Sequence, residues 1–340
     1  MRRMLTAAVG TMLSVFAAGA WAQGDAQAAG VDEWGKLIAA NNLDVNGNSP
    51  FHLEITFQLY DLDGKATTKG TVEDWWAAPG SERVIVHLAG VNEDGSLAVG
   101  ASHELVRDRF LVNELLNLAV HPVPEEPAAG GRVKNEKLSL GKVNLYCLGP
   151  ESHTVSGSWV QYESVCTQPQ AELVLISRGY SGDQILARQA TGMFQGTHVA
   201  LKLQLAFLGR TAITGEVTKL QSFDAAKPEV TLLSLLPEQE VIPNGPMHTG
   251  HTRAVVFGKH TATVEPELPS GHQEGKAITN TVIGKDGAVV DVAPIACSDA
   301  AFCAAAVRVF GQWKFSPSLL KGQPTEVNIT NSIEVTRDTF

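Results

Sequence analysis

The chain is expected to be an α+β protein in two units: an open, curved antiparallel β-sheet wrapped round helices, then a small β-β-α-β unit. Three stretches predict this. Phe51 to Tyr60 alternates strictly, with Phe51, Leu53, Ile55, Phe57 and Leu59 on one parity, the two-residue period of a half-buried strand. Asp286-Gly287 stands between two apolar runs, and glycine accepts the positive φ that a tight hairpin needs. Phe302, Ala305, Ala306, Val309, Phe310 and Trp313 then recur at steps of three and four, which makes one apolar helix face. With 340 residues, 44% of them hydrophobic, the chain has material for two cores.

In chain order, Arg2 and Arg3 precede an apolar stretch from Met4 to Gly19, and Ala20-Trp21-Ala22 follows. A positive start, an apolar middle and small residues before the cut describe an export signal over residues 1–22, cleaved after Ala22. The alternative is an inner-membrane anchor through residues 4–19, a short run for a span. Val31 to Ala40 reads as an amphipathic helix with Trp34, Leu37 and Ile38 on one side. After the first strand, Asp61-Leu62-Asp63-Gly64-Lys65 is a turn and Ala66 to Trp76 returns antiparallel, so Trp75 and Trp76 point to opposite faces. Arg83 to Leu88 and Ser96 to His103 read as strands. Phe110 to Val120 reads as a helix closed by His121-Pro122-Val123-Pro124. Val143 to Leu148 against Trp159 to Cys166 makes a hairpin, and Glu172 to Ser177, His198 to Leu208 and Thr211 to Leu220 are further strands. The first unit is thus expected over residues 31–223, followed by a less regular linker over 224–261.

The second unit, 262–336, reads as strand, turn, strand, short helix, strand. Ser298 or Asp299 caps the helix that begins at Ala300. Pro294 sits inside the second strand and cannot donate to a ladder, which implies a strand end, an edge or a bulge. Pro317 forbids further helix. In the last strand Val327, Ile329, Ile333 and Val335 share a parity, so one face packs on the helix. Trp313, Phe315 and Pro317 are expected to be structural core.

Gly284-Lys285-Asp286-Gly287, the Ala-rich helix, Gln312-Trp313-Lys314-Phe315-Ser316-Pro317 and Lys321-Gly322-Gln323-Pro324 occur in that order and spacing. On those residues the stretch resembles the C-terminal domain of TonB-type energy transducers. It departs from the family in its first strand, where Ala277, Thr279, Thr281 and Ile283 replace larger aliphatics. Glu265-Pro266-Glu267-Leu268-Pro269 stands where the family tends to have Tyr-Pro, and the long Pro- and Lys-rich spacer of those transducers is missing. The resemblance implies that an extended segment of a partner is added beside the final strand, at Thr325, Glu326, Val327, Asn328, Ile329, Thr330 and Asn331. Earlier in the chain, the helix from Val31, the Phe51 to Tyr60 strand and the Gly70 to Trp76 strand are similar in pattern to the half-barrel folds of the lipoprotein carriers LolA and LolB. That resemblance implies a concave face able to shelter a lipid acyl chain. The plain reading of the same face is a sheet filled by its own helices.

With 36 acidic residues against 26 basic, the net charge is −10, and basic runs are absent, which argues against nucleic acid and anionic membrane surfaces as partners. Four cysteines in an exported chain suggest disulfides. Pairing Cys147 with Cys166 and Cys297 with Cys303, each within its own region, is the economical choice among three connectivities. Each bridge contributes about 2 to 3 kcal/mol by restricting the unfolded chain. Chemistry is scarce. His248, His251, His260 and His272 lack the carboxylate or thiolate company of a metal site. Ser158 has no nucleophile-elbow context, Asp61 and Asp63 begin no complete calcium loop, and no phosphate-cradling glycine loop occurs. The expectation is a non-enzymatic protein without cofactor or metal. Its first reading is an exported, periplasmic or secreted protein that binds an envelope or outer-membrane transporter partner by strand addition, in support of transmembrane transport. The alternative is a lipid or lipoprotein carrier working through the N-terminal half-barrel. No oligomeric state is implied.

Overall fold

The computed structural model describes residues 30–45, 47–79, 81–98, 100–124, 132–140, 142–153, 159–160, 163–179, 182–224, 247, 255–256, 258–262, 268 and 274–336. The expected cleavage after Ala22, the alternative anchor over residues 4–19, Ser158, and His248, His251 and His272 lie outside them.

Helix α1 covers residues 30–41. Strands β1 (Phe51–Tyr60), β2 (Ala66–Ala78) and β3 (Ser81–His87) precede helix α2 (His103–Val120). Strands β4 (Arg132–Leu140), β5 (Val143–His153), β6 (Trp159–Val160), β7 (Ser164–Thr167), β8 (Val174–Gly179), β9 (Gln184–Phe194), β10 (Thr197–Phe207) and β11 (Arg210–Ser222) follow. They form one antiparallel sheet in the order β3-β2-β1-β11-β10-β9-β8-β7-β5-β4, with β6 off that path on β5. Its end strands β3 and β4 do not meet, so the sheet is open.

Local chemistry sets the turns. Asp61 Oδ1 accepts from the backbone N–H of Asp63 (3.0 Å) and Lys65 (2.8 Å), closing β1 onto β2. The β9–β10 and β10–β11 hairpins close through Gln195-Gly196 and Leu208-Gly209, all four residues at positive φ, the pair of left-handed positions a two-residue hairpin turn requires.

The buried parity of β1 faces α2, which crosses β1, β2, β10 and β11 on the concave side. Leu111, Val112, Leu115, Leu116 and Val120 of α2 join Phe51, Leu53, Ile55, Phe57 and Leu59 in one core. Trp76 belongs to it, stacked on Phe51, whereas Trp75 lies on the outer face against His52. Toward the other end, Trp34 and Leu37 of α1 pack on Leu148, Val165 and Val174. Three local readings are corrected. Ser96 to His103 is not a strand: Gly95 and Gly100 take positive φ, and Ser102 caps α2, its Oγ accepting from Leu105 N at 3.3 Å. Strand β4 was not expected, because Arg132, Lys134, Glu136 and Lys137 mask its few apolar residues, and charge is common on edge strands. Strand β9 was not expected either, since its glutamines and threonine blur the alternation.

The C-terminal elements are β12 (Val255–Val256), β13 (His260–Ala262), β14 (Glu274–Ile283), β15 (Val289–Cys297), helix α3 (Ala300–Phe310), β16 (Lys314–Phe315), β17 (Ser318–Leu320), β18 (Gln323–Thr325) and β19 (Val327–Thr336). The main sheet runs β15-β14-β19, beside two small ones, β12-β17-β18 and β13-β16. Asp299 rather than Ser298 caps α3, its Oδ1 accepting from Phe302 N at 2.9 Å. The two disulfides are Cys147–Cys166, across β5 and β7, and Cys297–Cys303, from the end of β15 to α3.

Strand β14 is buried on both faces. One face packs on α3, where Ala277 meets Phe302, Cys303, Ala306 and Phe310. Ile278 on the opposite parity joins the core of the large sheet, with Ile295 and Ala296 of β15. Pro294 stands beside a bulge: Ile278 opposes Ala296 and Thr279 opposes Pro294, leaving Ile295 as the extra residue. The bulge turns the Ile295 carbonyl toward α2, where it accepts from Arg107 Nε at 3.1 Å, while Arg107 Nη1 donates to Tyr60 O at 2.9 Å. Arg210 donates to Leu62 O (3.2 Å), Cys297 O (3.3 Å) and Ser298 O (3.1 Å), and Lys276 pairs with Asp183 at 3.2 Å. Most of the expected linker 224–261 is outside the described residues, but Met247 in it is buried in the large core and its N–H donates to Asp94 O at 2.8 Å.

Arg107→Ala is expected to cost roughly 2 to 4 kcal/mol, because the buried Ile295 carbonyl and the part-buried Tyr60 carbonyl lose a charged donor. Hydrogen exchange at Ala277 to Ile283 should quicken with it, and unchanged exchange there would contradict the role given to Arg107. His52 is 2% exposed, and burial pulls its pKa below its ordinary 6.5 despite the bond from Nε2 to Glu73 Oε2 at 2.8 Å. A depressed histidine favours the folded state above pH 6.5, and that stabilisation is lost as the pH falls through the folded value. His52→Gln should therefore flatten the dependence of unfolding free energy on pH below 6.5; an unchanged slope there would show that His52 does not contribute to it.

Candidate functional site

The hairpin β17–β18 turns through Lys321-Gly322, at φ 50° and 80°, both left-handed, and delivers the chain to β19. From there β19 runs beside β14 in one unbroken antiparallel register, Ile283 opposite Val327 through Glu274 opposite Thr336. Its odd parity faces α3. Val327 and Ile329 pack with Ile283, Phe315 and Trp313, and Ile333 and Val335 with Phe302 and Ala306. Asn331 on that parity donates from Nδ2 to Thr281 Oγ1 at 3.0 Å. The even parity carries Asn328, Thr330, Ser332, Glu334 and Thr336, and Glu334 pairs with Lys276 at 3.0 Å.

Among the described residues β19 pairs with β14 alone, so its outer side is a sheet edge. The opposite edge differs. Strand β15 carries Pro294, which has no N–H, and the bulge at Ile295 that Arg107 holds. Its Asp291 meets His103 of α2 at 3.3 Å. One edge is engaged by α2 and the other is presented.

Of the seven residues expected on the recognition edge, Asn328, Ile329, Thr330 and Asn331 lie within β19, and Val327 begins it with a fully buried side chain. Thr325 does not belong to that edge: it is buried in β18 and opposes Ser318, while Glu326 joins the two strands. The edge runs on instead through Ser332 to Thr336. Phe315 is buried, and Trp313 is half-buried with its ring 4.4 Å from Phe310 and 4.7 Å from His260. Pro317 is exposed between β16 and β17, so it interrupts pairing rather than packing in the core. His260 is exposed and its pKa is lowered by burial of the ring against Trp313 and Phe315.

The concave face of the large sheet is occupied by α1 and α2, with polar groups beneath them that the sequence pattern does not reveal. Asp74 is fully buried beside Val72 and Trp76, neither of its oxygens has a partner, and burial pushes its carboxyl well above the usual range. Glu114 of α2 is also pushed up by burial, against the bond it accepts from Gln184 Nε2 at 2.8 Å. Among the described residues no group of three or more His, Cys, Asp or Glu is set to hold a metal ion, and no helix is long and apolar enough to cross a membrane.

Three solved structures align with much of the chain at low identity. A DUF1329 family protein from Desulfovibrio piger covers 61% of this chain and 99% of its own, at 12% identity and a TM-score of 0.38. A lipoprotein-sorting protein domain of the outer membrane from Vibrio parahaemolyticus covers 60% and 97%, at 8% identity and a TM-score of 0.38. A LolA superfamily protein from Nitrosomonas europaea covers 58% and 94%, at 8% identity and a TM-score of 0.32. No curated protein matches the chain. The family model of the Gram-negative bacterial TonB protein C-terminal region matches residues 270–334, the stretch that holds β14, β15, α3 and nearly all of β19.

Proposed function

We propose that this is an exported envelope protein, periplasmic and non-enzymatic, which binds an extended segment of an envelope or outer-membrane partner by adding it as a strand along β19, in support of transport. The observation that carries the reading is the outer side of β19, unpaired among the described residues, within the stretch that matches the TonB C-terminal family. In this reading residues 1–22 are the export signal, the sheet unit over 31–223 is a platform, and the unit over 262–336 is the binding module.

Strand addition draws affinity from backbone hydrogen bonds, each worth about 0.5 to 1.5 kcal/mol net, and selectivity from alternate side chains. A segment beside Ile329 to Val335 would set one parity beside Ile329, Ile333 and Val335 on the α3 side and the other beside Thr330, Ser332 and Glu334. Its pattern is therefore apolar and polar in alternation. Carriage of an acyl chain in the trough of the large sheet finds less support, because α2 and its apolar partners already occupy that trough.

Successive residues of a strand direct their N–H groups to opposite sides. Of Thr330→Pro and Asn331→Pro, one therefore deletes a donor to β14 and unfolds the strand, and the other deletes an outward donor and leaves a folded protein. A photo-cross-linker in place of exposed Ser332 should capture one extended segment of an envelope protein in cells, and the folded proline variant should lose that capture. Equal capture by the folded variant, or capture spread over unrelated proteins, would overturn the reading.

A further inference from the structure

Glu334 is the only charged side chain in Val327–Thr336, the span of β19. It lies on the even parity, and its side chain is 58% exposed. Across β14 it opposes Lys276, whose Nζ stands 3.0 Å from Glu334 Oε2. The same Nζ donates to Oδ1 and Oδ2 of Asp183, each at 3.2 Å, in the turn between β8 and β9. Asp183 is held in place, since its backbone carbonyl accepts from Leu208 N at 2.7 Å. Glu274, exposed, opposes Thr336 and shares the parity of Lys276 at the same end of the sheet. Three carboxylates therefore gather round one ammonium. Burial acts to lower the Lys276 pKa, and the bonds and charges of Glu334 and Asp183 more than offset it, so the value stands above the ordinary 10.5. Arg210 does not restore the balance, because its donors go to the Leu62, Cys297 and Ser298 carbonyls, on the β15 side of β14.

A strand laid along the outer side of β19 sets one of its side chains directly opposite Glu334, on the same face, with Cβ atoms about 4.5 to 5.5 Å apart. Opposite charges at such positions stabilise the pair and like charges destabilise it. Lys276 is shared between two carboxylates, so Glu334 carries negative charge that β14 matches only in part. Ser332 and Thr336, the neighbouring positions on its parity, are neutral, which confines the preference to one place in the segment. A second copy of this chain answers poorly. Val327–Thr336 holds no lysine or arginine, so β19 laid against β19 offers Glu334 no cation.

We propose that Glu334 is the specificity-determining residue of the β19 edge, and that the occupant is an extended segment of another protein with lysine or arginine at the position opposite it. The inference rests on the reading of β19 as the recognition edge and adds a charge requirement to it. A segment with an acidic residue at that position is rejected, by Glu334 directly and by Asp183 and Glu274 behind it.

The test uses the full chain and short fluorescent peptides of alternating valine and threonine, in which one central threonine is replaced by lysine, glutamine or glutamate. Binding is read by fluorescence anisotropy. At low salt the lysine peptide should bind about twofold to fivefold more tightly than the glutamine peptide, and the glutamate peptide more weakly than either. In about 1 M salt the differences should close, because screening shortens the reach of exposed charges. Glu334→Gln should abolish the preference while the glutamine peptide binds as before. Glu334→Lys should invert the order, and Glu334→Gln carries the comparison if that variant does not fold beside Lys276. Equal binding of all three peptides, lost in the folded proline variant of β19, leaves strand addition standing and overturns the charge requirement. Binding of none, binding that the proline variant retains, or a dimer paired through β19 that excludes the peptides overturns both.

Discussion

Strand β14 has apolar or tightly packed side chains on both of its faces, and a strand buried on two sides needs a layer above and a layer below. Helix α3 supplies one layer from within the C-terminal stretch, through Phe302, Ala306 and Phe310. The other has to come from elsewhere, and α2 with the core of the large sheet provides it through Ile278, Ile295 and Ala296. The bulge at Ile295 is the local device. An extra residue beside Pro294, which has no N–H to lose, turns an apolar side chain into the shared core and a carbonyl toward Arg107. Arg210, at the turn between β10 and β11, ties the end of β15 through the carbonyls of Cys297 and Ser298.

That docking decides which edge of the small sheet is available. A three-stranded sheet has two edges, and both are equivalent in principle as templates for a further strand. Proline, bulge and the neighbourhood of α2 blunt β15. Strand β19 keeps an unbroken register with β14 and an outer side that no described strand covers. The proposed partner is thus assigned to β19 by exclusion at one edge as much as by opportunity at the other. Its alternating apolar and polar parities would read a segment of matching alternation.

The large sheet is a filled trough. Its concave side holds α1 and α2 on apolar ground, and the polar groups beneath them are handled in different ways. Asp74 and Glu114 answer burial by shifting toward the neutral acid. Glu114 also accepts a hydrogen bond, whereas the oxygens of Asp74 have no partner. Arg188 can do neither in full, since a guanidinium keeps its proton and two of its three nitrogens lack acceptors.

Local regularities were legible in the sequence. The parity of Phe51 to Tyr60 determined a half-buried strand, Asp286-Gly287 a hairpin, the steps from Phe302 to Phe310 an amphipathic helix, and cysteine spacing two local bridges. All of these depend on contacts within a few residues or on one repeating period. Strand β4 was hidden because an edge strand can carry several charges, here Arg132, Lys134, Glu136 and Lys137, and the start of α2 because Ser102 reads as a cap only once Ser96 to Gly100 is known not to be a strand. Tertiary structure alone decided that Thr325 is paired in β18 and buried, that Pro317 is exposed, that α2 covers one edge of the small sheet, and that Arg188 lies inward without a counter-ion. No periodicity encodes which elements meet across more than a hundred residues, because that choice is made by burial of faces that each look complete only when the other is present.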